Sequence, residues 1–509
     1  MPVHEIVAKT PEQETDIRGR TITGILWSIF GQVGQQGIRF IVILILARLL
    51  MPKEFGLVGM IEVFTGFAAM FGEMGFGAAI IQKQDVEERL LSSVFWLSIV
   101  MGVLLTSILA ACAPLIAAFY NQRILLPLTL LLSLNFAINS LNIIQNSLLT
   151  KKMDFRRLAI INITAITTAG IVAVAMALAG FGVWSLAINT LLTTTFSVIL
   201  MWSLSGWRPR LIFEWKDVKE LIDFSMNLMG SRISTYWTAN ADNLLIGKYV
   251  SATALGVYDR AFSLMVLPRA HISAVLARVM FPALSAIQAD KKKVKQVFLR
   301  ANRAIALITF PMMMGLLMVA KPFILTIYGE KWMAVVPILQ IFCLEGMGRS
   351  VGTTVGWIYL SQARTDIMFK WGLFSGVVRV ASIIIGLQWG VVGVAIAIVL
   401  SGYTILWYPS WVIPGRLINL SFWEVMKNLG GPFWCSVVMA AAVFAFGIIL
   451  PSDWPEWTRL ATQVPLGVVV YVLLIHVFQV RAYREVRELA VEQYRKLRPP
   501  VPVEAGTPL

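Results

Sequence analysis

Residues 94–120, VFWLSIVMGVLLTSILAACAPLIAAFY, contain no charged side chain, and apolar runs of this kind recur down the chain with only short polar breaks. About 20 consecutive apolar residues are what an α-helix needs to span the hydrocarbon core of a bilayer. Inside that core every backbone N–H and C=O must be satisfied within its own helix or in a closed barrel. Barrel strands would show short runs alternating at period two, and these runs are long and continuous. Composition agrees: 58% of residues are hydrophobic and 14% charged, against about 25% charged in a soluble domain. The fold class is therefore all-α, a polytopic membrane protein.

Hydropathy places about fourteen transmembrane helices, near 22–46, 57–80, 90–114, 124–148, 158–179, 182–204, 221–247, 252–285, 297–320, 333–359, 367–387, 389–413, 430–450 and 459–480. Residues 1–21 are polar, lack the apolar core of a leader peptide, and read as a cytoplasmic tail. Residues 481–509 read as a second cytoplasmic tail, with Glu and Arg alternating at helical spacing up to Arg498 and a Pro-rich end. Lys and Arg test this topology, because cytoplasmic loops hold the excess of them. With the N-terminus inside, about 27 fall in inner segments, 7 in outer loops and 9 within helices, of 43 in all. The net charge of +15 thus faces anionic membrane lipids, and no nucleic-acid partner is needed to explain it. Cys112, Cys343 and Cys435 lie inside apolar runs without metal-ligand spacing, as small packing residues do. No metal or cofactor is expected.

An internal repeat is visible. LARLLMPKEFGLV (46–58) aligns with IGKYVSATALGVY (246–258) at a spacing of 200, so that Arg48 meets Lys248, Gly56 meets Gly256 and Val58 gives way to Tyr258. GVWSLA from Gly182 resembles GVVGVA from Gly390, and Phe155-Arg156 and Phe369-Lys370 each precede the fifth helix of a six-helix half. The expected organisation is two pseudo-symmetric six-helix lobes, 22–204 and 221–413, followed by two further helices over 430–480.

The run ARLLMPKEFGLVGMIEVFTGFAAMFGEMGFGAAIIQK (47–83) resembles the second-helix signature of Wzx-type polysaccharide flippases, the polysaccharide transporter family of the multidrug/oligosaccharidyl-lipid/polysaccharide exporter superfamily. It is most like the colanic-acid and teichuronic-acid exporter branch. The resemblance covers roughly residues 18–480 and is strongest before residue 160. It implies a V-shaped central cavity, alternating access and a bacterial inner-membrane location. The implied cargo is undecaprenyl-diphosphate-linked oligosaccharide, moved from the cytoplasmic to the periplasmic leaflet for lipopolysaccharide or exopolysaccharide synthesis. A polysaccharide polymerase and chain-length proteins are the implied partners, beside membrane lipids.

Ionisable residues at membrane depth cost several kcal/mol and so face a partner or a watery cavity. In helix 1, Ser28, Gln32, Gln36 and Arg39 form one polar stripe, with Gly31, Gly34 and Gly37 beside it for close approach. Helix 7 carries Ser225, Arg232, Tyr236 and Asn243, and at the repeat spacing Gln32 falls opposite Arg232. These stripes either line a cavity or glue helices together. In helix 8, Arg260, His271 and Arg278 lie within roughly 20° of one another on a straight helix, a cationic ladder suited to a diphosphate, whose oxygens accept the guanidinium fork. His271 is a packed polar residue or a proton carrier. Arg379 adds positive charge near the midplane; Arg349 either does the same or pairs with Glu345 four residues earlier. Arg278 and Arg303 lie near the cytoplasmic face, where snorkelling to head groups is the simpler reading. Substrate-binding candidates are therefore Gln32, Gln36, Arg39, Arg232, Arg260, His271 and Arg379. Arg39 and Glu62 either pair, or an acid among Glu62, Glu73 and Asp242 carries a coupling ion. Two rivals are disfavoured. A membrane-embedded glycan enzyme needs a sizeable catalytic loop, and none is present. A multidrug cation antiporter needs an acidic cavity, and here Arg outnumbers acid at membrane depth.

Overall fold

The structure is a computed structural model and describes residues 11–73, 87–215, 235–451 and 453–485, with positions 77, 80, 81, 233, 487 and 488. Every regular element among them is helical, as a chain without water to satisfy its backbone requires. Nine of the described helices are long and apolar enough to cross a membrane, ten when one bent pair is taken together, and Thr365–Ile418 holds two predicted passes in a single run. Large apolar side chains stay uncovered on these helices, among them Leu115 at 69% and Ile171 at 66% exposure. In water they would drive aggregation; against acyl chains they are at home. Two compact units divide the chain, Met1–Asp259 and Arg260–Leu509.

In the first unit, α1 (Pro11–Leu49) begins eleven residues before the predicted start of helix 1, because Pro11 suits a first helical position and the polar residues after it are mostly ordinary helix formers. Then follow α2 (Pro52–Glu73), α3 (Glu88–Tyr120), α4 (Leu125–Ser140), α5 (Ile143–Lys151), α6 (Phe155–Leu178), α7 (Val183–Leu204) and a helical stretch over 235–249, here α8. α1 seats its glycines on α6: a Cβ at Gly31 would stand 2.8 Å from that of Ala159, and one at Gly34 would stand 3.1 Å from Ile163 Cδ1. Small residues let two backbones approach where lipid supplies no hydrophobic drive. The chain after α7 is strapped to the start of α3, Arg210 N–H donating to Ser92 and Glu214 N–H to Ser93.

The second unit holds most of α9 (Ala252–Ala286), then α10 (Lys291–Met318), α11 (Ala320–Ile327), α12 (Val335–Gly352), α13 (Val355–Ser361), α14 (Thr365–Gly386), α15 (Gly390–Ser401), α16 (Trp407–Gly415), α17 (Phe422–Ile449) and α18 (Glu456–Val477). Asp290 caps α10, accepting from the backbone N–H of Lys292 and Lys293, and those bonds hold its carboxyl below the usual carboxylate range. α17 opens on a capping box between Ser421 and Glu424. The helical residues 481–485 agree with the helix expected after the last pass.

The two halves repeat each other locally. Left-handed residues fall at Asn121 and Gly329, Met153 and Ala363, Gly182 and Gly390, and Gly206 and Asn419. Each pair stands at the same junction of its half. Helices 4 and 10, predicted as single spans, are both broken at matching places: α4 and α5 meet at a 43° bend, and α12 gives way to α13 at Thr353-Thr354. Polar side chains compete with the helical ladder there. Asn142 donates to Ser197, Thr354 back-bonds to Val351 O, and Asn302 donates to Thr354. Packing repeats as well, α3 on α4 as α10 on α12, and α6 on α7 as α14 on α15. One boundary differs: Phe155 opens α6, whereas Phe369 lies in the second turn of α14.

Candidate functional site

Helix 1 presents its stripe as its glycines are spent. With Gly31 and Gly34 against α6, Gln32 and Arg39 are exposed and Gln36 is half-buried. A Cβ at Gly37 would meet nothing within 4 Å. Among the described ion pairs Arg39 does not join Glu62, which is itself exposed on α2. Glu73 ends α2, but its side chain lies outside the described residues, as does Arg232. His271, Arg269 and Arg278 fall on α9 at positions whose side chains lie outside them too, so the cationic ladder is described only at its first rung, the half-buried Arg260.

Within the first unit, the start of α9 returns onto the start of α2. A Cβ on Gly56 would stand 1.7 Å from Ala252 O, and one on Gly256 would stand 1.9 Å from Pro52 O. In the repeat register Pro52 matches Ala252 and Gly56 matches Gly256, so the two contacts are the same contact seen from either half. A local two-fold axis passes between the glycines, at a crossing only glycine permits. Beside it, Asp242 is 3% exposed and accepts 2.9 Å from the Tyr258 hydroxyl and 3.0 Å from the Asn243 N–H. Lys248 reaches the carbonyl of Phe119 at the C-terminal end of α3 and stands 4.9 Å over that ring, where a helix end favours a cation. Tyr236, on the predicted helix 7 stripe, donates 2.7 Å to Val63 O and lies over Gly66, where a Cβ would meet its hydroxyl at 2.4 Å. Tyr236 is thus helix glue.

Within the second unit, Glu345 on α12 takes two arginines on one oxygen. Arg349 Nε stands 2.9 Å and Arg379 Nη1 3.3 Å from Glu345 Oε1, while Glu345 Oε2 is buried without a hydrogen-bond partner. Arg349 also lies 5.6 Å over the Phe262 ring. Close by, a π-helical turn over Gly402–Leu406, a feature that clusters at functional sites, sets Tyr403 to donate 2.6 Å to Leu344 O. The local reading of Arg349 therefore holds, and the same carboxylate also gathers Arg379. Hydropathy carries no sign of Tyr403. The Asp242–Tyr258 bond did leave one, in the repeat register, where Val42 and Val58 stand in their places.

Broken helices, left-handed junctions repeated in two halves and ionisable groups at membrane depth define a polytopic helical transporter. The fold is shared with solved structures: a lipid II flippase MurJ in an inward closed conformation (TM-score 0.68, 17% identity, 91% of this chain and 99% of that one), and an inward-facing multidrug resistance MATE family transporter of the MOP superfamily (0.61, 16%, 77% and 96%). The chain belongs to the polysaccharide biosynthesis protein family, which it matches over residues 45–337. Its relatives include the teichuronic acid biosynthesis protein TuaB of Bacillus subtilis, 31% identical over 85% of this chain and 89% of that one. The lipopolysaccharide biosynthesis protein WzxC of Escherichia coli is 28% identical over 86% and 89%. The succinoglycan biosynthesis transport protein ExoT of Rhizobium meliloti is 25% identical over 93% and 96%.

Proposed function

We propose that this protein flips undecaprenyl-diphosphate-linked oligosaccharide from the cytoplasmic to the periplasmic leaflet of a bacterial inner membrane, by alternating access, as a step in surface polysaccharide synthesis. It is a transporter and not an enzyme. Both termini are cytoplasmic in this reading, two six-helix lobes carry the transport path, and α17 and α18 are additions to them. A polymerase and chain-length proteins act on the product. The fold alone does not choose a cargo, because lipid flippases and multidrug transporters share it. The observation that carries the choice is the sign of the embedded charge. Nine arginines lie within predicted membrane helices, and Glu345 serves two of them at once. A cation antiporter would need the opposite excess, whereas a diphosphate head group needs this one.

Gln32, Gln36, Arg39, Arg232, Arg260, His271 and Arg379 line the path in this reading, and Glu62, Glu73 and Asp242 are the acids available to a coupling ion. The test is complementation of a deletion strain, scored beside the amount of inserted protein. Arg260→Ala should cut export about tenfold, the loss of one charge-assisted contact, at unchanged abundance. Arg260→Lys should fare little better, having lost the fork. Full export by Arg260→Ala and Arg39→Ala would sink the cationic path.

A further inference from the structure

α10, α17 and the chain leaving α18 enclose a cleft of about 980 Å³ that holds none of the residues proposed to line the transport path. At its mouth Glu485 collects three guanidiniums: Arg303 at 2.7 Å, Arg481 at 3.5 Å and Arg300 at 3.6 Å. Lys427 adds a fourth cation to the lining. The other acid of the lining, Glu424, is already engaged, by Lys295 at 2.5 Å and by the cap of its own helix. Among the described residues of the lining, four cations thus share the single remaining carboxylate of Glu485. Arg303 is 8% exposed, with its Nε buried and making no hydrogen bond. Arg300, Arg481 and Lys427 are exposed, so one buried guanidinium stands beside three solvated cations, a concentration of positive charge that suits a further anion.

Beyond the mouth the cleft turns apolar. Trp434, Val438, Leu474 and Phe478 line it, with Trp434 65% and Phe478 68% exposed on the bilayer-facing surface. A Cβ on Gly430 would meet nothing within 4 Å, so the wall is hollow where the charged part gives way to the apolar part. Lys427 and Val438 are eleven residues apart on α17, about 16 Å of helix rise, a good part of the length of an acyl chain. We infer that this cleft seats an anionic phospholipid, its phosphate among Arg300, Arg303, Lys427 and Arg481 and one acyl chain along Gly430, Trp434 and Val438. Basic pockets between membrane helices near one bilayer face hold such head groups. A free anion would account for the cations but not for the hollow apolar wall that continues from them.

The test uses the full chain in neutral detergent, its melting temperature followed during titration with phosphatidylglycerol, with phosphatidylcholine of the same acyl chains, or with inorganic phosphate. Phosphatidylglycerol should raise the melting temperature saturably, and the other two should not. The Arg300→Gln/Lys427→Gln double variant should need about tenfold more phosphatidylglycerol for the same shift. Gly430→Leu, which fills the hollow without touching a charge, should weaken the response as much. Each shift is read against the variant's own lipid-free melting point, so a change in basal stability does not confuse it. Equal shifts with phosphatidylcholine, a shift reproduced by inorganic phosphate, or a wild-type response in either variant would overturn the assignment.

Discussion

Asp242 and Tyr258 hold the register that Val42 and Val58 hold 200 residues earlier, so one half buries an apolar pair where the other buries a hydrogen bond. Such a bond contributes about 1 kcal/mol net, and the Asn243 N–H still donates to Asp242 when the tyrosine hydroxyl is gone. Tyr258→Phe should therefore cost about 1 kcal/mol, and Asp242→Val alone at least as much. The two together should cost less than their sum, read as a double-mutant cycle on the melting of purified protein; strict additivity would mean the pair is not coupled. At Glu345 the asymmetry runs the other way. Arg379→Met leaves the carboxylate its 2.9 Å partner Arg349, so abundance and melting should change little. Glu345→Leu removes the carboxylate that both guanidiniums share and should cost more than Arg379→Met, visible as lost inserted protein. Equal damage from both would remove Glu345 as the hub.

Between elements, the crossing of α2 and α9 is the tightest glycine contact among the described residues of the first unit. It is made twice, by Pro52 with Gly256 and by Ala252 with Gly56, and a Cβ at either glycine would fall inside a carbonyl oxygen. Gly56→Ala and Gly256→Ala should each force the helices apart at a cost of about 1–3 kcal/mol, as overpacking does. Symmetry makes the two effects equal. Disulfide trapping by cysteine pairs flanking the crossing should slow in both variants, and an effect at one glycine only would show that the crossing is not the symmetric contact its geometry describes. The lipid cleft is also an element-scale feature, for it exists only where α10, α17 and the chain after α18 come together.

For the molecule as a whole, orientation is the property that decides the direction of transport, and it rests on the distribution of Lys and Arg. Lys53, Arg123 and Lys331 are all exposed at helix junctions. Single cysteines at these positions, in a chain with Cys112, Cys343 and Cys435 replaced, should label with an impermeant maleimide in intact spheroplasts. Protection at all three would invert the topology and with it the direction of flipping. Deletion of the protein in a strain without a second flippase should leave the lipid-linked oligosaccharide in the cytoplasmic leaflet.

The membrane-spanning helices, the repeat and the surplus of embedded arginine were all legible in the sequence, because each is written in composition and spacing. A bilayer demands apolar length, and a duplicated half keeps its glycines where the backbone needs them, as at Gly182 and Gly390. The breaks in helices 4 and 10 were not legible. They depend on Asn142 finding Ser197 and Asn302 finding Thr354, partners 55 and 52 residues away. The same holds for the site. Sequence spacing suggested the Glu345–Arg349 pair because four residues make one helical turn, yet only tertiary packing, with α15 against both α12 and α14, brings Arg379 to that carboxylate. Local periodicity determined which residues share a face; which face meets which neighbour was decided by tertiary contact, since that depends on side chains far apart in the chain.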